Sequence, residues 1–243
     1  MKKPTLKDII YVAIIVLLVV ALTVVSVLFG VSTKKNREEP SSYYDQKCAA
    51  FALHNQNASQ GQIVFIGDSI TDGFQLDNYF TDLPLATYNR GIGGDTTSGV
   101  LDRLKISLYD LKPSKIVLLI GINDIIGKRS ETDEVLKNYR EILSEIRKNL
   151  PSTEVTCLSV LPIHTTKLEE RGGVDLDKFP QKIKDVNARL QPLVQEYGYR
   201  YLDLYSSLND GSDRLIAAYT EDGLHLNADG YKVWASVIKP YLQ

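Results

Sequence analysis

An α/β fold built on a parallel sheet, preceded by one apolar helix, is the architecture these 243 residues predict. Three observations point there. Short β-rich runs alternate with helical stretches along most of the chain, the rhythm of strand–helix–strand units. One run, "KIVLLIG" at 115–121, is apolar at nearly every position, as a strand covered on both faces must be. Ahead of them all, residues 9–31 carry no charge and are mostly Ile, Val, Leu and Ala.

Taken as a helix at about 1.5 Å per residue, that first run is about 35 Å long, enough to cross a hydrocarbon core of about 30 Å. It exceeds the apolar core of a secretory signal, and "VLFGVSTKK" offers no small-residue cleavage site. Residues 1–8 therefore read as a short cytoplasmic N-terminus, 9–31 as a single-pass transmembrane anchor, and 32–42, with Pro40, as a linker. Lys2, Lys3 and Lys7 balance Lys34, Lys35 and Arg37, so the α-amino group tips the positive-inside count toward a cytoplasmic N-terminus. A cell-membrane location with an extracytoplasmic domain is the expectation.

Residues 43–243 then make one domain of ordinary size. Its β-rich runs fall at 62–67, 86–89, 115–121, 154–161 and 199–205. Helical stretches fill 97–111, 132–150 and 181–197, and a last helix closes the chain at about 228–242. Within 132–150, Val135, Leu136, Tyr139, Ile142, Leu143 and Ile146 line one apolar stripe.

Composition removes several functions. Net charge is −2, and the one basic cluster, "TKKNR", is a membrane-flanking stop rather than a nucleic-acid patch. Cys48 and Cys157 are too few for a disulfide framework, and Cys157 sits in the apolar run "VTCLSV" as a small hydrophobe. "GIGGDT" is neither G-x-G-x-x-G nor a P-loop, which argues against a nucleotide. Asp68, Asp72, Asp95 and Asp124 lack the spacing of a metal loop and have no histidine cluster beside them, so they read as turn-bonding carboxylates.

In an open α/β sheet, ligands bind beyond the carboxyl ends of the strands. Asp68 and Ser69 follow the first run, Gly93 and Gly94 the second, and Asn123 the third. A serine becomes a nucleophile only beside a base, which a carboxylate must orient. Of three histidines, His225 alone has an acid, Asp222, three positions away; His54 reads as a solvated or packing residue and His164 as a candidate pocket residue. Gly94 and Asn123 could donate to a developing oxyanion. Each residue also has a plain reading as a turn or cap, and Phe74, Tyr79 and Phe80 fit either a pocket wall or the core.

Together, "GDSITDG", "NRGIGGD", "GIND" and "DGLH" resemble the four sequence blocks of the SGNH hydrolases, the GDSL-type esterase/lipase family. Ile70 stands where the nominal pattern has leucine, and the likeness covers the whole of 43–243. "NRGIGGDTT" and "DGLHLNADGY" look most like the bacterial branch near platelet-activating-factor acetylhydrolase catalytic subunits. The resemblance implies a three-layer, flavodoxin-like sandwich with a five-stranded parallel sheet, and no cofactor or metal. It implies Ser69, His225 and Asp222 as the catalytic triad, with the Ser69 and Gly94 amides and the Asn123 side chain as the oxyanion hole. The expected function is a membrane-anchored serine esterase for short acyl, above all O-acetyl, esters on carbohydrate or lipid. Lysophospholipase or thioesterase activity, or a non-catalytic surface-binding module, are the alternatives.

Overall fold

The computed structural model describes Thr23 and residues 42–243. The span read at 9–31 lies, Thr23 aside, outside the described residues. Among the described residues no helix is long and apolar enough to cross a membrane. Tyr43–Gln243 form one compact unit.

Five strands make a single parallel sheet: β1 (Ile63–Gly67), β2 (Thr87–Gly91), β3 (Lys115–Leu119), β4 (Glu154–Leu158) and β5 (Arg200–Leu202). Their order is β2-β1-β3-β4-β5. The chain runs outward from β1 to β2 and then returns past β1 to β3, so the order reverses there and a crevice opens beyond those strand ends. In register, Gly67 at the end of β1 faces Gly91 on one side and Leu119 on the other. Every β1 residue is buried; because strand side chains alternate, both faces of the sheet are covered.

The helices are α1 (Tyr43–Asn55), α2 (Ser69–Asp72), α3 (Thr97–Asp102), α4 (Ile122–Ile125), α5 (Thr132–Asn149), α6 (Thr165–Glu170), α7 (Phe179–Glu196), α8 (Tyr205–Leu208) and α9 (Ala228–Ile238). The apolar stripe of α5 is wholly buried, and α5 packs against α3 and α7. On the face carrying Phe65, the rings of Phe74, Phe80 and Trp234 close an aromatic cluster around it. Phe74 and Phe80 are thus core residues rather than pocket walls.

All five runs form strands; four are shorter than the sequence suggests, and the second, expected at 86–89, runs on to Gly91. β3 stops at Leu119 because Gly121, at φ +120, turns the chain into α4. Beyond β4, the Val160 amide turns to the Asn187 side chain. The helix expected at 97–111 is broken: α3 ends at Asp102, and Lys105–Tyr109 form a π-helical turn. Between them Arg103 points inward, its Nη1 donating to Ser107 Oγ at 2.9 Å, and an inserted side-chain bond of this kind disrupts the regular ladder.

Candidate active site

The turn after β1 sets the first corner. Asp68 caps α2 by accepting the Ile70 amide at 2.9 Å, which makes Ser69 the first residue of the helix. The Ser69 amide is one of the donors that a helix start leaves without an internal partner. From behind, Tyr231 of α9 stacks on Phe74 and donates its hydroxyl to Ile70 O at 2.8 Å, fixing α2 against the core.

Asp222 and His225 occupy a tight turn ahead of α9. Asp222 Oδ1 accepts the amides of Leu224 and His225, each at 2.8 Å, so the carboxylate folds the turn around itself. Its Oδ2 lies 2.6 Å from His225 Nδ1. Burial pushes the Asp222 carboxyl upward, but the hydrogen bonds from the His225 ring and from the two amides prevail and hold it at about 2. Gly223, at φ +91, is pressed against the backbone that follows His164: a Cβ there would stand 2.6 Å from His164 O. The His164 amide in turn donates to Gly223 O at 2.8 Å. His164 also caps α6 with its ring, so it braces this turn.

His225 Nε2 stands 2.8 Å from Ser69 Oγ, across 156 residues of sequence. With Nδ1–H directed at Asp222, Nε2 carries a lone pair aimed at the serine hydroxyl. The His225 side chain is 44% exposed, so this pair opens to solvent and to any ligand.

The loop after β2 supplies the next corner. The Asp95 amide donates to Ile92 O at 3.1 Å, closing a four-residue turn with Gly94 in third place at φ +77, the value a type II turn requires there. Gly94 is exposed. At the end of β3, Asn123 Nδ2 donates to Asp95 O at 2.9 Å, which leaves its second N–H free and seats the amide beside the glycine turn. The Ile92 amide ties this loop to Gly67 O, next to Ser69. Ser69, Gly94, Asn123, Asp222 and His225 therefore gather from four loops at one end of the sheet.

Beneath them lies a buried polar layer that sequence patterns alone did not reveal. Arg103 donates to Asp95 Oδ2, Arg90 O and Gly67 O at 2.8, 2.8 and 2.9 Å, joining the ends of β1 and β2 to the glycine turn. In an amphipathic stretch, an arginine reads as a solvated residue, so no sequence signal marks it. Asp124 accepts the Thr97 amide and hydroxyl, and Asp72 accepts the Gly93 amide at 3.2 Å, both as turn-bonding carboxylates. Burial, foremost, together with the neighbouring Asp95 and Asp124 carboxylates, raises the Asp68 carboxyl to about 7. His54 lies apart, bonded to Arg90 and edge-on to Tyr88. Both cysteines are free thiols, Cys157 fully buried.

Residues 65–233 match the family model described as GDSL-like Lipase/Acylhydrolase. The chain is 30% identical over 186 residues to platelet-activating factor acetylhydrolase IB subunit alpha2 of Homo sapiens, covering 73% of each chain. A solved structure from Streptococcus pneumonia, assigned provisionally as a platelet activating factor, superposes with a TM-score of 0.76 at 29% identity, over 91% of this chain and 99% of that one. A GDSL-like lipase from Bacteroides thetaiotaomicron superposes at 0.69 with 25% identity, over 80% and 96%.

Proposed function

The chain belongs to the GDSL-like lipase/acylhydrolase family and is a hydrolase acting on esters; from that premise we propose a membrane-anchored serine esterase with Ser69 as nucleophile. The observation that carries the assignment is the unbroken chain from Ser69 Oγ through His225 to Asp222, at 2.8 and 2.6 Å. His225 Nε2 takes the hydroxyl proton as Ser69 Oγ bonds to the ester carbonyl carbon, and the carbonyl oxygen becomes an oxyanion. Asp222 stays ionised and stabilises the imidazolium. The Ser69 and Gly94 amides and the free N–H of Asn123 receive the oxyanion. Collapse breaks the ester C–O bond; His225 returns the proton to the departing alcohol, and the acyl group stays on Ser69. Water, deprotonated by the same ring, then releases the acid and restores the serine.

Two further features support the finer reading. The human relative is named for acetyl hydrolysis, which favours short acyl groups such as O-acetyl. The uncharged run at 9–31 supports a single-pass anchor, with the hydrolase domain on the extracytoplasmic side.

The test is hydrolysis of p-nitrophenyl esters of graded acyl length by the full chain and by Ser69→Ala. Acetate is expected to be turned over fastest, and the variant to lose that turnover. Equal rates in the two proteins would remove Ser69 from the reaction.

A further inference from the structure

We infer that Tyr43, at the start of α1, is a stacking platform for the ring of a carbohydrate ester, and so sets which alcohol the site accepts. The inference rests on the esterase reading above.

The tyrosine is fixed at both ends. Its hydroxyl donates to Asp72 Oδ2 at 2.6 Å, and its ring lies on the glycine turn, with Cε1 3.3 Å from where a Cβ on Gly93 would stand. Gly93 has no positive φ, and a Cβ there would press on this ring.

The platform adjoins the reacting atoms. Asp72 lies three residues after Ser69 on α2, and helical residues at that spacing are neighbours, with about 5–6 Å between their Cβ atoms. The same carboxylate oxygen that holds the phenol also accepts the Gly93 amide at 3.2 Å. Gly94, whose amide faces the oxyanion in the proposed mechanism, is the next residue. The ring therefore rests on Asp72 and Gly93, one residue of the serine helix and one of the glycine turn.

Its chemistry favours a sugar over an acyl chain. Tyr43 is 52% exposed although its hydroxyl is already bonded, so the ring itself is what it presents to solvent. It is a single aromatic surface bordered by charge: Lys47, one turn along α1, donates to Asp72 Oδ1 at 2.7 Å. Among the described residues the other exposed large apolar side chains are Leu53, ten positions along α1, and Val174 and Tyr241 on other segments, whereas a lipid tail needs contiguous apolar surface. One aromatic ring with an ammonium and a carboxylate at its edge suits the apolar face and peripheral hydroxyls of a pyranose.

The experiment compares the full chain with Tyr43→Ala and Tyr43→Phe on two esters, an O-acetylated methyl pyranoside and methyl acetate, which has no ring. The ratio of kcat/KM on the pyranoside to that on methyl acetate is expected to fall roughly five- to tenfold in Tyr43→Ala, through KM, and to survive in Tyr43→Phe. An unchanged ratio, or equal losses on both esters, would overturn the platform. Binding of the unacetylated methyl pyranoside, followed by saturation-transfer NMR, gives a readout that needs no turnover. Its loss in Tyr43→Ala and survival in Ser69→Ala are expected even if the esterase assignment fails; binding indifferent to Tyr43 would refute the platform alone. A lysophospholipid preferred over the pyranoside, with Tyr43 deciding that preference, would also refute it.

Discussion

Arg103 and Asp95 form an ion pair whose side chains are 1% and 2% exposed, with Arg103 Nε 2.8 Å from Asp95 Oδ2. Breaking such a pair strands a charge in the interior. Arg103→Ala is expected to cost about 3–5 kcal/mol, read by urea denaturation. Arg103→Lys should recover only part of that, because one ammonium cannot span the carbonyls of Gly67 and Arg90 as well as the carboxylate. Full recovery by lysine would mean that charge alone matters there.

Asn123→Ala separates two tasks of one amide. Losing the proposed oxyanion donor should lower kcat roughly 10²–10³-fold. Losing the bond to Asp95 O should cost only about 1 kcal/mol of stability. Steady-state kinetics beside a thermal melt distinguishes these effects, and a large melting shift with near-normal kcat would reverse the assignment.

Gly223→Ala forces a side chain toward His164 O in a backbone conformation that non-glycine residues rarely adopt. The adjacent Asp222 and His225 should shift, and a displacement on the order of 1 Å is enough to lower turnover about 10²-fold. KM should change far less than kcat. A variant with unchanged kcat would show that this brace does not set the geometry of the pair.

Asp68 predicts a pH dependence of stability. Its carboxyl rises from an ordinary 3.8 to about 7 in the folded chain, so the folded state binds the proton more tightly than the unfolded one. Stability from this group is complete below about pH 3.8, falls as pH rises through the window up to about 7, and is level beyond it. Asp68→Asn keeps an acceptor for the Ile70 amide without the charge. The variant should gain on the parent across that window in denaturant titrations at fixed pH; parallel curves would refute the shift.

The repeating strands, the serine turn and the Asp222–His225 spacing were legible because each depends on local sequence: apolar runs, a glycine, a short stretch of turn. "KIVLLIG" overran its strand by two residues because hydropathy does not register the turn at Gly121, whose φ is +120. The break at Arg103 was hidden for a different reason. The apolar period continues through 97–111, and only tertiary contact with Gly67, Arg90 and Asp95 turns the arginine inward. Phe74 and Phe80 fitted two roles equally until Phe65 and Trp234 were seen against them. Tyr43 carried no signal because its place beside Gly93 joins residues 50 positions apart, with Asp72 between them.

An open sheet has two unpaired edges, and each is a template on which a second chain can add a strand. Here β5 is only three residues long and begins with the exposed Arg200, which leaves little to copy. At the other margin, the Tyr88 side chain of β2 is held by the Ser59 amide on its hydroxyl and by His54 of α1 against its ring. The β5 margin thus offers a second copy little to extend, which keeps that side of the sheet from growing into a ribbon of stacked copies.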